Sequence, residues 1–483
     1  MQLTAEQEAI KSAFEADADI RVQAGAGCGK SSTLIEMAKA KLEDSGLFVA
    51  YNRAIKDDMA GKAPFNLEVS TSHSLAFRAV GVRYKHRLNG PRLPVRETAR
   101  ILGAKAFRIG EHPVLGEFAI SRMVNDMLRK FTYSADKQIT TEHIEPVKGY
   151  NEAELRELAA TLLPLARRAW EDISDVGGKL RFEHDHYMKL WTLSEPKLYG
   201  DFLMLDESQD ANPALTALIM DQDQMQRISV GDSAQSIYQW RGAKDAHASL
   251  PGQEMTLSQS FRFGEAIAHE ANDWLDALNA PIRLRGFEQI DSQVISYNPD
   301  AGTVLCRTNM GCMAEALEMM DNGHRVAIVG GAKQLQDLAN ACIELQETGK
   351  TQHPELLAFD GWDDVREYSE DKEGADLKPL VTMVDRYTPK YLLARTRSFV
   401  DESYADRIVS TAHKAKGREW DHVRIGGDFH QEPEIDEGTG LPLPIEITRD
   451  EAMLCYVTVT RAKQTLAAEA LDWFKYEPVV IAQ

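Results

Sequence analysis

The stretch VQAGAGCGKSS at residues 22–32 constrains the fold most, because it predicts a strand, a tight loop and a helix in direct succession. Glycines let such a loop wrap closely, so that successive backbone N–H groups at the helix N-terminus face phosphate oxygens. In this pattern Lys30 reaches the β- and γ-phosphates of ATP, and the hydroxyl of Ser31 ligates Mg²⁺. Ala24 departs from the pattern, whose first position is usually glycine. The predicted nucleotide contacts within the loop are Ala26, Gly27, Cys28, Gly29, Lys30, Ser31 and Ser32.

Short apolar runs recur along the chain and end in polar turns, as parallel strands do when both faces of their sheet are buried. They lie at residues 47–51, 202–205, 227–230, 303–307, 325–331 and 422–427. Helix-like stretches separate them, so the sequence predicts an α/β fold with two doubly wound domains. We expect the first domain at 1–82 and 198–263, a helical insertion at 83–197, and the second domain at 264–483 with a small or absent insertion.

The composition fits a globular protein of several domains. The 483 residues exceed one ordinary core, and roughly 150 residues per domain predict about three units. No run approaches the roughly 20 apolar residues that cross a bilayer, and the N-terminus is polar and acidic. The five cysteines show no C-x-x-C spacing. We therefore expect a cytoplasmic protein without disulfides, zinc or membrane contact.

A second acidic motif, LMLDESQD, follows one of the apolar runs at residues 203–210. In ATPases with a phosphate loop, the first acid at such a strand end binds Mg²⁺ and the second polarises the attacking water. Asp206 is thus the predicted metal residue and Glu207 the predicted catalytic base. Two adjacent acids alone are equally consistent with a solvated surface, but the phosphate loop in the same chain favours the catalytic interpretation.

The charge distribution leaves the question of a nucleic-acid partner open. The formal net charge of −20 argues superficially against one, since phosphate contacts need lysine and arginine. Residues 83–108 nevertheless carry eight basic residues against one acid. This segment is consistent with a local DNA track and equally with a solvated helix face.

The segment VGDSAQSIYQWRGA at residues 230–243 resembles the third motif of UvrD-like helicases of superfamily 1. In that family a glutamine senses the γ-phosphate, which Gln235 matches here. The family's DNA-stacking aromatic matches Trp240, and Tyr238 matches a further aromatic. Stacking on an aromatic face tolerates any base sequence. A core tryptophan is the alternative interpretation of Trp240.

Other short blocks resemble motifs of the same family in the expected order. The resemblance implies that Gln7 bonds the adenine edge, that Phe261 stacks on adenine, and that Gly417 and Glu419 hold the nucleotide. It also implies that Arg262 and Arg461 contact the γ-phosphate, so the implied catalytic set is Lys30, Asp206, Glu207, Gln235, Arg262 and Arg461. The implied DNA contacts are Tyr51, Asn52, Thr71, His73, Tyr238, Trp240, Thr411 and His413.

The resemblance, closest to the F-box DNA helicase branch, implies two RecA-like domains with a helical insertion in the first. It implies an ATP-dependent helicase or translocase that moves 3′ to 5′ on single-stranded DNA by closing the two domains on ATP. No F-box-like segment is expected, since the glutamine motif begins at residue 3, and no nuclease domain is expected after Arg461. Expected partners are single-stranded DNA, duplex junctions, and recombination or replication proteins, with the chain acting as a monomer.

Two alternatives remain at this stage. One is a translocase that remodels protein–DNA complexes with little unwinding. The other is a DNA-binding module that has lost hydrolysis, against which the complete set of predicted catalytic residues argues.

Overall fold

The computed structural model describes residues 3–88, 90, 93–237, 246–353, 355–357, 359–370, 374, 377–436 and 438–482. The chain divides into two compact units. Unit 1 comprises Met1–Ala24 and Gly29–Leu257, and unit 2 comprises Gly25–Cys28 and Ser258–Gln483. None of the helices in the described ranges combines the length and apolar character needed to cross a lipid bilayer.

Unit 1 is built around a six-stranded sheet whose described pairings are all parallel. Its strands are β1 (Ile20–Ala24), β2 (Gly46–Ala50), β3 (Leu67–Thr71), β4 (Phe202–Asp206), β5 (Gln226–Gly231) and β6 (Gln253–Leu257). The order across the sheet is β3-β2-β4-β5-β1-β6. Because the strands run the same way, the carboxyl ends of β1, β4 and β5 lie at one edge, where α/β proteins bind their ligands.

The helices of unit 1 cover this sheet and form a separate helical core between β3 and β4. They are α1 (Ala5–Glu15), α2 (Lys30–Ala40), α3 (Arg53–Ala60), α4 (Ser72–Ala79), α5 (Val95–Leu102), α6 (Glu117–Tyr133), α7 (Glu152–Ser174), α8 (His184–Leu193), α9 (Pro213–Met220) and α10 (Ala246–Ser249). Single 3₁₀ turns lie at Gly81–Tyr84, Thr141–His143, Ser208–Asp210 and Ser233–Gln235.

Helical spacing of apolar residues explains the core between α5, α6, α7 and α8. In α6 the buried Ile120, Val124 and Phe131 recur on one face, as an amphipathic helix requires. An Asn151–Glu154 capping box begins α7, since each side chain bonds the other residue's backbone N–H. The Arg87 guanidinium donates to the Ile173 carbonyl in the last turn of α7 at 2.9 Å and to the Leu180 carbonyl beyond that helix at 2.8 Å. One of the basic residues of 83–108 is therefore structural.

Unit 2 contains a second six-stranded sheet, ordered β7-β13-β11-β8-β10-β9, whose described pairings are again parallel. Its strands are β7 (Gln293–Ile295), β8 (Thr303–Cys306), β9 (Val326–Ile328), β10 (Arg407–Thr411), β11 (Trp420–Ile425) and β13 (Ala462–Ala467). A separate parallel pair joins β12 (Ile445–Thr448) to β14 (Val479–Ala482).

The helices of unit 2 pack on its sheet and on one another. They are α11 (Glu265–Ala277), α12 (Asn309–Asp321), α13 (Lys333–Thr348), α14 (Trp362–Glu370), α15 (Lys378–Tyr387), α16 (Pro389–Arg395), α17 (Ala412–Ala415), α18 (Arg449–Val459) and α19 (Trp473–Tyr476). Four of them, α13 to α16, lie between β9 and β10. Helix α18 is buried from Ala452 to Val459, because it crosses the interior of the unit. Single 3₁₀ turns lie at Thr396–Ser398, Glu402–Tyr404, Gly427–Phe429 and Glu469–Leu471.

The predicted α/β class with parallel sheets is confirmed. Strand β4 is buried at all five positions, as its continuous apolar run predicts. The domain boundaries inferred from the sequence stay predictions. Between β3 and β4 the described chain has helices and isolated bridges, such as Leu88 with Phe182, but no strand.

His186, on α8, gives the helical core a predicted acid sensitivity. Burial lowers the pKa of His186 to about 4, with Arg87 adding to the shift and Asp185 opposing it. An unfolded histidine titrates near 6.5, so the stability due to the neutral ring is full above that pH and is lost as the pH falls towards 4. Glutamine at position 186 can still accept the Glu183 N–H bond that His186 accepts at 3.0 Å.

We therefore expect His186→Gln to reduce the loss of unfolding free energy between pH 6.5 and pH 4 by roughly 1–3 kcal/mol. Urea unfolding at several pH values measures this change. His184→Gln alters an exposed histidine on the same helix and is the control. Equal pH profiles for His186→Gln and the unmodified chain would refute the assignment.

Candidate functional site

The glycine-rich loop lies between the end of β1 at Ala24 and the start of α2 at Lys30. Gly27 and Gly29 both have φ of +73°, a backbone conformation that residues with a Cβ atom rarely adopt. A Cβ atom on Gly27 would lie 2.6 Å from the Cβ of Arg262 and 2.7 Å from Oγ of Ser260. The loop thus needs glycine both for its turn and for the close approach of its neighbours.

Loop residues Gly25–Cys28 belong to unit 2 and are held by its side chains and backbone. The Ala26 N–H donates to the hydroxyl of Tyr456 at 3.3 Å, and Ser260 Oγ donates to the Ala26 carbonyl at 2.9 Å. The Phe261 N–H donates to the Gly27 carbonyl at 2.9 Å. Cys28 is 1% exposed, which fits a packing role for its thiol.

Lys30, the first residue of α2, forms an ion pair with Glu207, whose Oε1 lies 2.9 Å from the ammonium nitrogen. Burial disfavours the charged ammonium, but the carboxylates of Glu207, Asp206 and Asp232 outweigh it and raise the pKa of Lys30 to about 12. Burial and the neighbouring Glu207 raise the pKa of Asp206. The structure therefore brings together the predicted phosphate-binding lysine and both predicted acids.

Glu207 follows the end of β4 in a strained conformation. Its φ of +49° is uncommon for a residue with a side chain, and such strain often accompanies functional sites. The Glu207 N–H donates to Oδ1 of Asp206 at 2.9 Å, and Gln209 Nε2 donates to Oε2 of Glu207 at 2.6 Å. These bonds fix the backbone and the carboxylate of Glu207 together.

A polar network continues from Gln209 to the turn that contains Gln235. The Asp232 N–H donates to Oε1 of Gln209 at 3.0 Å, and Gln235 Nε2 donates to Oδ2 of Asp232 at 2.6 Å. Gln23 of β1 is also within 3.4 Å of Asp232. All these side chains are buried, so their polar atoms exchange bonds with one another in place of water. Gln235 is thereby linked to the Lys30–Glu207 pair through two intermediate residues.

Gln7, the predicted adenine contact, takes part in the N-terminal capping box of its own helix, α1. Its Oε1 accepts from the Thr4 N–H at 3.0 Å, and its Nε2 donates to Oγ1 of Thr33 at 2.9 Å. Thr33 lies on α2 one turn after Lys30. The structure thus fixes Gln7 beside the first turns of α2.

Residues suited to Mg²⁺ lie at the same strand ends. The ion typically takes one or two carboxylates together with substrate phosphates. Asp206 supplies a buried carboxylate, and Ser31, half-buried in the first turn of α2, supplies a hydroxyl. The carboxylates of Asp206, Glu207 and Asp232 all act on the Lys30 ammonium, so the negative charge of these residues exceeds its positive charge, which fits a bound cation. Protein side chains alone do not form a metal cluster in the described residues, because no group of three or more His, Cys, Asp or Glu could hold an ion.

In unit 2, Arg262 and Glu419, two residues that the motifs single out, form an ion pair. Arg262 Nε lies 2.7 Å from Oε2 of Glu419, and its Nη1 donates to the Thr460 carbonyl at 3.0 Å. Arg461 is 2% exposed and donates through Nε to the Val457 carbonyl at 2.9 Å. The two predicted arginine fingers are therefore joined through the Thr460–Arg461 backbone.

Phe261 and Gly417 complete the predicted nucleotide residues of unit 2. The ring of Phe261 packs edge-to-face on Phe287, with centroids 5.4 Å apart. Gly417 has φ of +81°, which glycine adopts at little cost.

Several predicted DNA contacts follow the carboxyl ends of strands and begin helices. The side chains of Asn52, Thr71 and Thr411 accept the N-cap bonds of α3, α4 and α17. Tyr51 directly follows β2, and His73 lies in the first turn of α4. Burial lowers the pKa of His413, which lies in α17. Tyr238 and Trp240 lie outside the described residues.

The motif-based prediction assigned no role to Gln209, Asp232 or Gln23, which complete the buried network. All three stand within the sequence motifs: Gln209 and Asp232 just after β4 and β5, and Gln23 within β1. Gln23 is a polar residue at a buried position of β1, and this feature of the sequence could have indicated its place in the network.

Comparison with known proteins shows what this chain is similar to. A family model described as an AAA domain matches residues 6–241. F-box DNA helicase protein 1 of Schizosaccharomyces pombe is 27% identical over 493 residues, which cover 92% of this chain and 55% of that protein. F-box DNA helicase 1 of Gallus gallus is 30% identical over 504 residues, covering 96% of this chain and 49% of that protein.

The chain thus contains a helicase-type AAA domain. It is a homologue of the F-box DNA helicases, as the motifs predicted. The chain spans about half the length of these relatives.

The network around Gln209 predicts a stability effect. Gln209→Leu should remove the acceptor of the Asp232 N–H and the donor to Oε2 of Glu207, lowering the free energy of unfolding by roughly 1–3 kcal/mol. Urea unfolding measures the loss. The exposed Gln224 supplies the control Gln224→Leu, which should change stability by less than about 0.5 kcal/mol. Matching losses in the two variants would contradict a central role for Gln209.

Proposed function

We propose that this chain is an ATP-driven motor on single-stranded DNA, which couples Mg-ATP hydrolysis to strand stepping and duplex unwinding. The observation that carries the proposal is the half-buried Lys30–Glu207 ion pair beside Asp206, formed after the ends of β1 and β4. Homology to F-box DNA helicases supports the choice of DNA as the substrate. Duplex junctions, and recombination or replication proteins, are the proposed partners of a monomer.

In the proposed reaction, Lys30 binds the β- and γ-phosphates and leaves its ion pair with Glu207. The freed Glu207 carboxylate, still bonded by Gln209, then orients the attacking water and accepts its proton. Ser31 and Asp206 would hold Mg²⁺, which neutralises phosphate charge when bound. Gln235 is placed to respond to the same site through Asp232 and Gln209.

The remaining roles follow from the motifs. Arg262 and Arg461 are proposed to stabilise charge on the γ-phosphate, with Phe261, Gly417 and Glu419 holding the nucleotide. Since Arg262 is paired with Glu419, this role requires the arginine to exchange a carboxylate for a phosphate. DNA contacts at Thr71, His73, Thr411 and the motif around residue 240 would couple the hydrolysis cycle to movement of the strand. The direction, 3′ to 5′, is proposed from the family alone.

Replacing Lys30 tests the nucleotide site. Lys30→Ala removes the ammonium from phosphate, so ATP turnover should fall at least about 100-fold while binding of single-stranded DNA persists. A steady-state ATPase assay and oligonucleotide anisotropy measure both properties, and circular dichroism verifies folding. Lys39→Ala is the matched control, because Lys39 lies on the same helix with its side chain 50% exposed. Normal turnover by Lys30→Ala would refute the proposed site.

Added single-stranded DNA tests the motor. We expect an oligonucleotide to increase ATP turnover severalfold, because strand binding is coupled to hydrolysis. Turnover that is indifferent to DNA would refute the proposal.

Unwinding and direction need separate substrates. A forked duplex measures strand separation, and duplexes tailed at the 3′ or the 5′ end measure polarity. DNA-stimulated turnover without strand separation would instead support a translocase that remodels protein–DNA complexes.

A further inference from the structure

A cavity of about 530 Å³ opens in unit 1 beside α4, within the volume range of small-ligand sites. Its walls come from α4, from the turn after α4 and from α8. The residues that matter to the argument are His73, Phe77, Arg78, Lys85, His184 and Tyr187. Of these, the motifs assign a role only to His73.

Aromatic rings form the floor and sides of the cavity. Tyr187 is buried and holds Phe77 and His184 edge-to-face, with centroids 5.6 Å from each. Its hydroxyl also lies 2.9 Å from Nδ1 of His184. Phe77 is half-buried and His184 is exposed, so both rings offer surface to a ligand. Burial and Asp185 raise the pKa of Tyr187 to about 12, so this floor is uncharged.

The packing of the turn after α4 shows that these rings are held in place. A Cβ atom on Gly81 would lie 2.5 Å from the ring of Phe77 and 3.1 Å from that of Tyr187. Glycine therefore lets the backbone approach both rings closely. The turn therefore packs directly against two of the rings that line the cavity.

Two cations stand at the cavity. Arg78 is exposed and pairs with Glu68 at 2.9 Å. Lys85 is exposed and makes no ion pair with any residue that the structure describes. One carboxylate is close, but Asp185 is already engaged by His73 at 3.2 Å and by the Tyr133 hydroxyl at 2.9 Å. The combination of ring faces with exposed cations is what single-stranded nucleic acid requires.

The cavity also continues the proposed path of the strand. Thr71 and His73, two proposed DNA contacts, lie at the end of β3 and in the first turn of α4. The cavity begins at His73 and extends along α4 to Arg78, over about one and a half turns. A strand that crosses the start of α4 therefore meets the cavity next.

We propose that this cavity receives one unstacked base of single-stranded DNA, stacked on Phe77 and His184 above Tyr187, while Lys85 and Arg78 contact adjoining phosphates. This inference rests on the proposed function and adds a base subsite to it. The subsite joins the start of the inserted helical region, at Lys85, to the DNA path of the sheet domain. Because stacking uses only the face of a base, the subsite accepts any sequence.

Two substitutions test the subsite by oligo-dT anisotropy over a range of salt concentrations. Phe77→Leu keeps an apolar wall but removes the aromatic face, so affinity should fall about tenfold, and Phe77→Tyr should restore it. Lys85→Ala should weaken binding and reduce the salt slope of log K by roughly 0.7, as expected for one lost contact to single-strand phosphate. Lys85 is exposed, so this variant remains informative if Phe77→Leu unfolds.

Matched controls are Tyr199→Leu, at an exposed aromatic that does not line the cavity, and Lys39→Ala. Both should bind oligo-dT like the unmodified chain. Suppose that Phe77→Leu and Lys85→Ala also bind oligo-dT like the unmodified chain, and that ATP turnover of the unmodified chain responds to DNA. The subsite proposal is then refuted, while the proposed motor function is retained. If turnover does not respond to DNA in the unmodified chain, the motor itself fails.

Photo-crosslinking locates the base directly. An oligo-dT that contains one 5-iododeoxyuridine should form its adduct with Phe77, His184 or Tyr187, identified by mass spectrometry. Adducts confined to residues outside the cavity would overturn the proposal. So would a selective loss of duplex binding in Lys85→Ala, because that outcome assigns the lysine to double-stranded DNA.

Discussion

The ion pair between Lys30 and Glu207 is the interaction on which the candidate site depends. Asp206 ends β4 and Glu207 follows it, and burial together with the neighbouring Glu207 favours the neutral form of Asp206. The Lys30 ammonium compensates both, and they in turn keep it charged against its own burial. A phosphate that engages Lys30 competes with Glu207 for the same cation. In the proposed reaction, nucleotide binding would therefore free the Glu207 carboxylate to orient the attacking water.

The parallel sheet explains why these groups meet. Lys30, Asp206 and Asp232 follow β1, β4 and β5, which are adjacent in the sheet and end at one edge. The strained backbone of Glu207 is tolerated because bonds to Asp206 and Gln209 fix it from both sides. Since Gln209 also accepts from the Asp232 N–H, hydrogen bonds connect Glu207, the partner of the predicted phosphate-binding lysine, to the Gln235 turn.

The sequence alone predicts the interior of the fold better than its edges. Continuous apolar runs identify β4 and β8, which are buried at every position. Strand β6 carries no such run, because it lies at the sheet edge and only its last residue, Leu257, is buried. Motifs identify Lys30 and Glu207, but not the pairing of Arg262 with Glu419. That pairing joins side chains 157 positions apart and depends on packing that no local pattern encodes.

Each of the two units contains an ion pair of the same kind. In each, a cation predicted to bind phosphate is paired with a carboxylate predicted to act on the same nucleotide: Lys30 with Glu207, and Arg262 with Glu419. Replacing a carboxylate by a phosphate exchanges one anion for another, so the cation keeps a partner of opposite charge. The released carboxylate, however, must find new partners. In the proposed cycle, an exchange of this kind within each unit changes local contacts while the charge on the lysine or arginine stays compensated.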